Sequence, residues 1–204
     1  MISRTAKATF YVCMGVPMRV SAWTYRHFRA PRTGDVAEVK VHLGPGQEKY
    51  LPGWINVDAN IVTAKLDVWA DLRWKLPFRD ASVDAFYSHH VIEHLPDHLL
   101  PMHFAEMFRC LKPGGVIRVG GPDGENAARK FIEGDRAWFH DFPDRRNSIG
   151  GAYVNFIICR NEHLTILSYS YLQELAGAAG FTGVVRCAPI HETHHRQLFG
   201  DVLD

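Results

Sequence analysis

The sequence predicts an α/β fold, in which a doubly wound, mostly parallel sheet has helices on both faces and a shortened first crossover. Along residues 36–123, short segments that are apolar or alternate between apolar and polar residues are followed by segments with helical spacing. Strands and helices alternate in this way in βαβ units. The first of these segments runs straight into a glycine turn. The length of 204 residues and the hydrophobic share of 47% suit one domain with its own core.

Local patterns place the individual elements. We predict strands over residues 36–43, 54–58, 84–88, 116–120 and 181–187, and helices over 18–28, 96–111, 125–133 and 169–179. The last helix has Ser168 or Ser170 as its N-cap and ends at Gly180. Residues 136–151 are polar and aromatic, which indicates a loop.

The connection after the first strand is unusually short. Only residues 47–53 separate the turn Gly44-Pro45-Gly46 from the next strand, and Pro52-Gly53 interrupts them. A parallel crossover that contains a helix needs a dozen or more residues. We therefore expect a first crossover without a helix.

Charge and cysteine content narrow the classes of protein. The net charge of +1 favours no nucleic-acid partner. Four scattered cysteines without paired spacing indicate reduced thiols and a cytoplasmic protein. No apolar run reaches the ~18–20 residues that cross a bilayer.

Residues 1–35 combine arginines with aromatic side chains and predict a helical extension ahead of a domain over 36–204. Three interpretations of this extension stay open. It is a basic amphipathic helix that contacts a membrane surface peripherally, a cover over the functional site, or, most commonly for such segments, a plain packing helix.

Two features point to a ligand at the strand ends. Gly44 and Gly46 let the backbone approach a ligand closely, since neither glycine has a side chain. Asp58 follows the next predicted strand, where a carboxylate can accept two hydrogen bonds from a ribose diol. Ligands of open α/β sheets bind at this edge, which favours a nucleotide-like cofactor.

Five short sequence blocks follow one another in a characteristic order between residues 39 and 123. They are L-G-x-G, an acid at a strand end, L-P-F-x-D-x-S-V-D, S-x-x-V-I-E-H-L, and L-K-P-G-G. This order resembles the class I methyltransferases that use S-adenosylmethionine (SAM), and is closest to the small methyltransferase-type-11-like family. The resemblance implies a Rossmann-like fold, SAM as cofactor and S-adenosylhomocysteine (SAH) as product.

The resemblance also implies which residues hold the cofactor. They are Gly44, Pro45 and Gly46 at the methionine part, Asp58 at the ribose, Asn60, Asp71 and Leu72 at the adenine, and Ser88 and His89 near the sulfonium. The chain departs from the family pattern at His42, where an acid is usual, and at Glu48, where a third glycine is usual. A catalytically silent, methyltransferase-like binding protein is therefore an alternative.

Methyl transfer depends mainly on positioning, and a base is needed only where the acceptor loses a proton early. His163 is our first candidate for that base, followed by His90 and Asp123. The expected acceptor is an oxygen or nitrogen of a small-molecule or glycan-like compound. The sequence carries no prediction of oligomeric state.

The histidines suggest a further alternative. His90, Glu93 and His94 follow the residue order of inverted zinc proteases, which predicts a metal hydrolase if they share a sustained helix. The family resemblance explains the Glu93-His94 pair without metal, so we assign no metal ligands. The C-terminal cluster, which comprises His191, Glu192, His194 and His195, is interpreted as polar surface or as the mouth of the site.

Overall fold

The computed structural model describes residues 4–32, 38–47, 49–188 and 192–202. Five parallel strands form one sheet in the order β3-β2-β1-β4-β5. The strands are β1 (Lys40–Leu43), β2 (Ile55–Asp58), β3 (Val68–Trp69), β4 (Val83–His89) and β5 (Leu111–Gly120). The predicted doubly wound α/β fold is thus confirmed.

Six α-helices accompany the sheet in the described residues. They are α1 (Arg4–Thr24), α2 (Leu100–Cys110), α3 (Gly124–Ile132), α4 (Ile149–Ile158), α5 (Tyr169–Ala179) and α6 (Arg196–Phe199). The caps of α5 are as predicted, because the Ser168 side chain accepts from the Tyr171 N–H and Gly180 ends the helix at φ +105°.

Helices cover both faces of the sheet, but unequally. On one face, Val41, Leu43 and Phe86 share a core with buried residues of α1, α2 and α5. On the other face, Tyr87 and its neighbours pack only against the short α6 and the turn Gly200–Val202 that follows it. The second face therefore stays partly open, next to strand β5 at the edge of the sheet.

The connection from β1 to β2 has no helix in residues 44–47 and 49–54, as its length predicted. A buried polar network holds it instead. Asn56, which is fully buried, accepts from Leu51 N at 3.0 Å and donates to the carbonyls of Leu51 and Trp54. Its amide also reaches the Asp67 carboxylate at 3.0 Å. These bonds satisfy the backbone of the short crossover, which a helix would otherwise satisfy internally.

Strand β5 begins earlier than the predicted residue 116. Leu111 already pairs with Val83, whereas Val116 pairs with Ala85, so four residues of the L-K-P-G-G block bulge out between two paired positions. Lys112 Nζ ties this bulge to Asp84 Oδ2 at 2.7 Å. The L-K-P-G-G block therefore forms the first half of β5.

The strand predicted over residues 181–187 is wrong. These residues pair with no other strand in the described part of the chain. Phe181 packs instead on Phe108, with ring centroids 5.1 Å apart, and the Val184 carbonyl accepts from the Tyr169 hydroxyl. Side-chain packing and this single bond take the place of a backbone ladder.

The N-terminal helix is longer than the predicted span of 18–28, since α1 starts at Arg4 and continues into a π-helical turn at Tyr25–Arg29. Met18 and Ala22 are buried, so α1 packs on the domain. The predicted boundary at residue 35, like the predicted strand start at 36, falls in 33–37, outside the described residues. Among the described helices, none combines the length and apolarity that crossing a bilayer requires.

Candidate functional site

The register of the sheet brings the ends of its strands to one edge. Leu43 of β1 pairs with Val57 and with Ser88, so the residues that follow β1 and β2 lie beside the end of β4. Strand order reverses between the neighbouring strands β1 and β4. This is the switch point at which open α/β sheets bind their ligands.

The glycine turn takes a backbone that favours glycine. Gly44 has φ +72°, and an added Cβ would lie 2.4 Å from Val91 Cγ2. Gly46 has φ +58°, with no atom within 4 Å of the place of its Cβ. Gly44 is thus required by packing, whereas Gly46 leaves open space above the backbone.

Asp58 holds the two loops of this edge together. Its Oδ2 accepts from Gly46 N at 3.0 Å and its Oδ1 accepts from Asn60 N at 2.8 Å. Each carboxylate oxygen has a second lone pair, so Asp58 can still accept from a ribose diol. The Asn60 side chain is used locally, because its Nδ2 donates to Thr63 Oγ1 at 2.6 Å. Beside them, the Pro45 carbonyl accepts from Lys49 N at 3.2 Å.

The residues expected at the adenine have other partners in the structure. Asp71, which is nearly buried, accepts from Arg73 Nη2 at 2.7 Å and from Arg73 Nε and N. The Arg73 guanidinium lies 3.7 Å from the ring centroid of Tyr11 in α1. Leu72 is buried in the main core, and its carbonyl accepts from His103. An adenine amine at Asp71 would therefore compete with Arg73, beside a wall formed by α1.

Two polar atoms at the end of β4 are buried without a hydrogen-bond partner among the described residues. They are Ser88 Oγ and His89 Nδ1. Burial, followed by the neighbouring His90, lowers the pKa of His89 to about 4, so its imidazole is neutral at pH 7. Buried polar groups without partners are uncommon in proteins. A polar cofactor at this edge fits these two atoms, together with the free capacity of Asp58 and the open space above Gly46.

His42 stands where the family pattern has an acid. It is 1% exposed, and its Nδ1 lies 3.2 Å from Asn56 Oδ1. Burial lowers the pKa of His42 to about 4. The neutral imidazole therefore belongs to the network around Asn56 and brings no negative charge to the glycine turn.

A cavity of about 1040 Å³ opens beside the ends of β4 and β5. His89, His90, Asp123 and His163 all line it. Aromatic side chains from the region after β5, namely Trp138, Phe142 and Phe156, form part of its wall. The structure thus brings the three predicted catalytic residues to one cavity, next to the glycine turn and Asp58 but not lined by them.

His90 is oriented by a buried carboxylate. Its Nδ1 lies 3.1 Å from Glu93 Oε1, and the Glu93 side chain is 1% exposed. Although burial raises the pKa of Glu93, the hydrogen bond from His90 and the nearby His94 outweigh burial and leave it lowered, so Glu93 is ionised. An acceptor at Oε1 keeps a proton on Nδ1 of His90, which leaves Nε2 able to accept a proton.

The other two catalytic candidates carry structural bonds. Asp123 caps α3 by accepting from Asn126 N at 2.9 Å, and its other oxygen accepts from Arg186. His163 Nδ1 lies 3.0 Å from the Ile157 carbonyl, and burial lowers the pKa of His163. Of the three, His90 has the most freedom to take a proton from a bound molecule.

The helix required by the metal-hydrolase alternative is not present. His90 has φ +57°, and Ile92–His94 is a single 3₁₀ turn. His90 and His94 therefore do not share the face of a sustained helix. His94 instead neighbours His163, with ring centroids 5.3 Å apart. The sequence did not predict this contact.

The C-terminal cluster reaches the cavity in part. His194 and His195 line it, which agrees with the mouth interpretation, while Glu192 Oε2 accepts from Ala188 N at 2.8 Å. His191, like Glu48 of the family pattern, lies outside the described residues.

Comparison with known proteins agrees with this geometry. Residues 56–119 match the model of a family described as methyltransferase domain. The matched segment runs from β2 to β5 and includes Asp58, Asp71 and the end of β4. No curated protein matches the chain. The match over residues 56–119 and the all-parallel sheet are consistent with a class I SAM-dependent methyltransferase.

Proposed function

We propose that this protein transfers a methyl group from SAM to an oxygen or nitrogen of a small-molecule or glycan-like acceptor, with SAH as product. The observation that carries the proposal is the juxtaposition of two sites. The strand-end edge with the glycine turn and Asp58 adjoins the cavity that His90 lines. A cofactor at the edge would present its reactive group toward an acceptor in the cavity.

On this proposal, the methionine part of SAM lies along Gly44, Pro45 and Gly46. The Asp58 carboxylate accepts hydrogen bonds from the ribose hydroxyls. The adenine lies near Asn60, Asp71 and Leu72, and Ser88 and His89 supply polar contacts near the sulfonium. When bound, SAM supplies an electrophilic methyl group. The cofactor edge uses backbone approach and neighbouring strand ends, because no helix follows the glycine turn in the described residues.

The base is drawn from His90, His163 and Asp123, with His90 favoured by its bond to Glu93. The Glu93 carboxylate would stabilise the imidazolium that forms when His90 Nε2 takes the acceptor proton. The cavity offers apolar ring surfaces, on which the C–H face of a sugar or a planar molecule can lie, at Trp138, Phe142 and Phe156. These contacts support a glycan-like acceptor.

Isothermal titration with SAH tests the cofactor site. We expect saturable binding to the wild type and an affinity at least about tenfold lower in Asp58→Ala, which corresponds to about 1.4 kcal/mol. Asp97→Ala is the matched control, since Asp97 is exposed, is not among the proposed cofactor contacts and accepts a hydrogen bond from Tyr171 of α5. An absence of heat at tens of micromolar wild-type protein, or equal affinity in Asp58→Ala, would contradict the proposal.

A catalytically silent binding protein is the second candidate function. It is favoured by the Arg73 ion pair that occupies Asp71 and by the neutral His42 in place of an acid. On this candidate, SAH fails to bind the wild type while Arg73→Ala, which frees Asp71, gains affinity. The same titration therefore distinguishes the two functions.

The outer face of α1 supports a contact with a membrane surface. Four large apolar side chains on one side of the helix are at least half exposed. They are Val12 (81%), Val16 (60%), Val20 (57%) and Trp23 (50%). From Arg4 to Arg32 the sequence has six Lys or Arg residues and no Asp or Glu. We propose that this apolar, positively charged helix docks peripherally on anionic lipid.

A further inference from the structure

Three side chains from distant parts of the sequence meet beside the cavity. Glu93 and His94 lie in the 3₁₀ turn after β4, and His163 follows the short helical turn Cys159–Asn161. One potential ligand atom from each lies within 4.8 Å of the other two. Two imidazoles and one carboxylate form a common set of protein ligands for zinc at sites that also bind a small molecule.

Backbone hydrogen bonds hold the two segments together. The Glu93 carbonyl accepts from Leu164 N at 2.7 Å and from Thr165 N at 3.1 Å, and Thr165 Oγ1 donates to the Leu95 carbonyl. These bonds fix the residues directly after His163 against the turn that carries Glu93. The main chain therefore fixes the two segments that carry the cluster relative to each other.

Both histidines are oriented in the way that metal-binding histidines are. His94 Nδ1 lies 2.9 Å from the Glu162 carbonyl, and His163 Nδ1 lies 3.0 Å from the Ile157 carbonyl. A carbonyl oxygen only accepts, so each Nδ1 carries the proton. Each Nε2 is left with its lone pair, and His94 Nε2 lies 4.0 Å from Glu93 Oε1. A backbone partner on the second ring nitrogen is the usual support of a metal ligand.

The carboxylate has an oxygen without a partner. Glu93 is 1% exposed, and its Oε2 makes no hydrogen bond within the described ranges, whereas Oε1 accepts from His90. A buried, ionised oxygen without a partner is costly, and a bound cation removes that cost. Gly121 lies beside Glu93 Oε2, because a Cβ added to Gly121 would be 3.2 Å from this oxygen.

We propose that Glu93, His94 and His163 bind a divalent transition-metal ion, for which Zn²⁺ is the probe that the ligand set fits. Ligand distances of about 2.0–2.2 Å require the three donors to approach one another by roughly 1 Å, which rotation of the partly exposed His94 allows. Three protein ligands leave a fourth position open. Because His163 lines the cavity, that position is accessible to water or to an oxygen of a molecule bound there.

This site differs from the metal-hydrolase arrangement considered from the sequence. Glu93 is a ligand here and not a base, and His163 replaces His90 in the ligand set. His90 keeps its bond to Glu93 Oε1 and orients the carboxylate.

Zn²⁺ titration of the metal-free full chain, without cofactor or acceptor, tests the proposal. We expect one Zn²⁺ per chain, a rise in Tm on binding, and visible d–d absorption when Co²⁺ replaces Zn²⁺. His94→Ala and His163→Ala should each lower the Zn²⁺ affinity at least about 100-fold, and Glu93→Gln should do so while preserving side-chain shape. Circular dichroism and the Tm without metal show whether each variant is folded.

Two control variants locate the ion. His98→Ala removes an exposed histidine outside the cluster, and His194→Ala removes one from the C-terminal cluster. Both should bind Zn²⁺ as the wild type does. Failure of the wild type to bind Zn²⁺ at tens of micromolar, unchanged affinity in folded His94→Ala or Glu93→Gln, or an equal loss in His194→Ala would overturn the proposal. SAH titration is independent of these results, so failure of the metal site and failure of the cofactor site are distinguishable.

Discussion

At the level of one residue, Gly46 has the backbone conformation and the free space that the close approach of a ligand to the main chain requires. Its φ of +58° strains any other residue, yet a Cβ would meet no atom of the protein within 4 Å. We expect Gly46→Ala to lower the free energy of unfolding by about 1–2 kcal/mol, from the left-handed backbone alone. We expect its affinity for SAH to fall at least about tenfold, because the methyl group would occupy the space proposed for the cofactor. Denaturant unfolding and isothermal titration measure the two effects.

Gly53→Ala is the matched control for that experiment. Gly53 also has a positive φ, +80°, with no atom within 4 Å of its Cβ position. It lies before β2, at the opposite end of the strand from Asp58. We expect a similar loss of stability with unchanged SAH affinity. Equal losses of affinity in both variants would show that backbone strain, and not contact with the cofactor, explains the result.

His103 makes stability depend on pH. It is fully buried in α2, where burial lowers its pKa to about 4 even though the bond to the Leu72 carbonyl and nearby Glu106 favour the charged form. The unfolded chain has a His pKa of about 6.5 and binds the proton more readily. Stability is therefore complete above about pH 6.5 and falls as the pH drops toward 4.

We expect His103→Gln to flatten the stability profile between pH 6.5 and 4 by on the order of 1–3 kcal/mol. The glutamine amide can still donate a hydrogen bond to Leu72, so the change mainly removes the titrating group. Urea unfolding at a series of pH values measures the slope. A slope equal to that of the wild type would show that other groups, such as His42 and His89, account for the acid sensitivity.

At the level of elements, helix α1 has two different faces. Met18 and Ala22 are buried against the domain, and Tyr11 contacts Arg73 near the expected adenine position. The opposite face exposes the valines and Trp23 described above. One helix therefore contacts the region of Asp71 with one face and leaves the apolar face proposed for membrane docking exposed.

We expect the protein to sediment with vesicles that contain phosphatidylserine and not with vesicles of phosphatidylcholine alone, and salt should weaken the binding. The double change Val16→Ser and Val20→Ser should lower the partition about tenfold, because each exposed valine would lose its burial in lipid. Val154→Ser is the control, since Val154 on α4 is 56% exposed. Binding that is equal for both lipid compositions, or is lost equally in Val154→Ser, would contradict docking through α1.

At the level of the whole molecule, the strand-end edge and the cavity are formed by different parts of the chain. Asp58 and the end of β4 lie in the segment that matches the methyltransferase model, whereas the glycine turn precedes that segment and α3 to α5, with the aromatic wall of the cavity, follow it. The same sheet supports both, because the ends of β4 and β5 border the edge on one side and the cavity on the other.

Local patterns in the sequence determined the strands β1, β2 and β4, the helices α2, α3 and α5, and the short crossover. Alternation, capping residues and connection length are properties of neighbouring residues, so they can be predicted without the fold. Those strands also placed the glycine turn, Asp58 and Ser88 at one edge. The tertiary structure alone brought His163 to Glu93 and His94, placed Tyr11 against Arg73, and left residues 181–187 without a strand partner in the described part of the chain. Such contacts join segments that are distant in sequence or depend on competing partners, and no local periodicity encodes them.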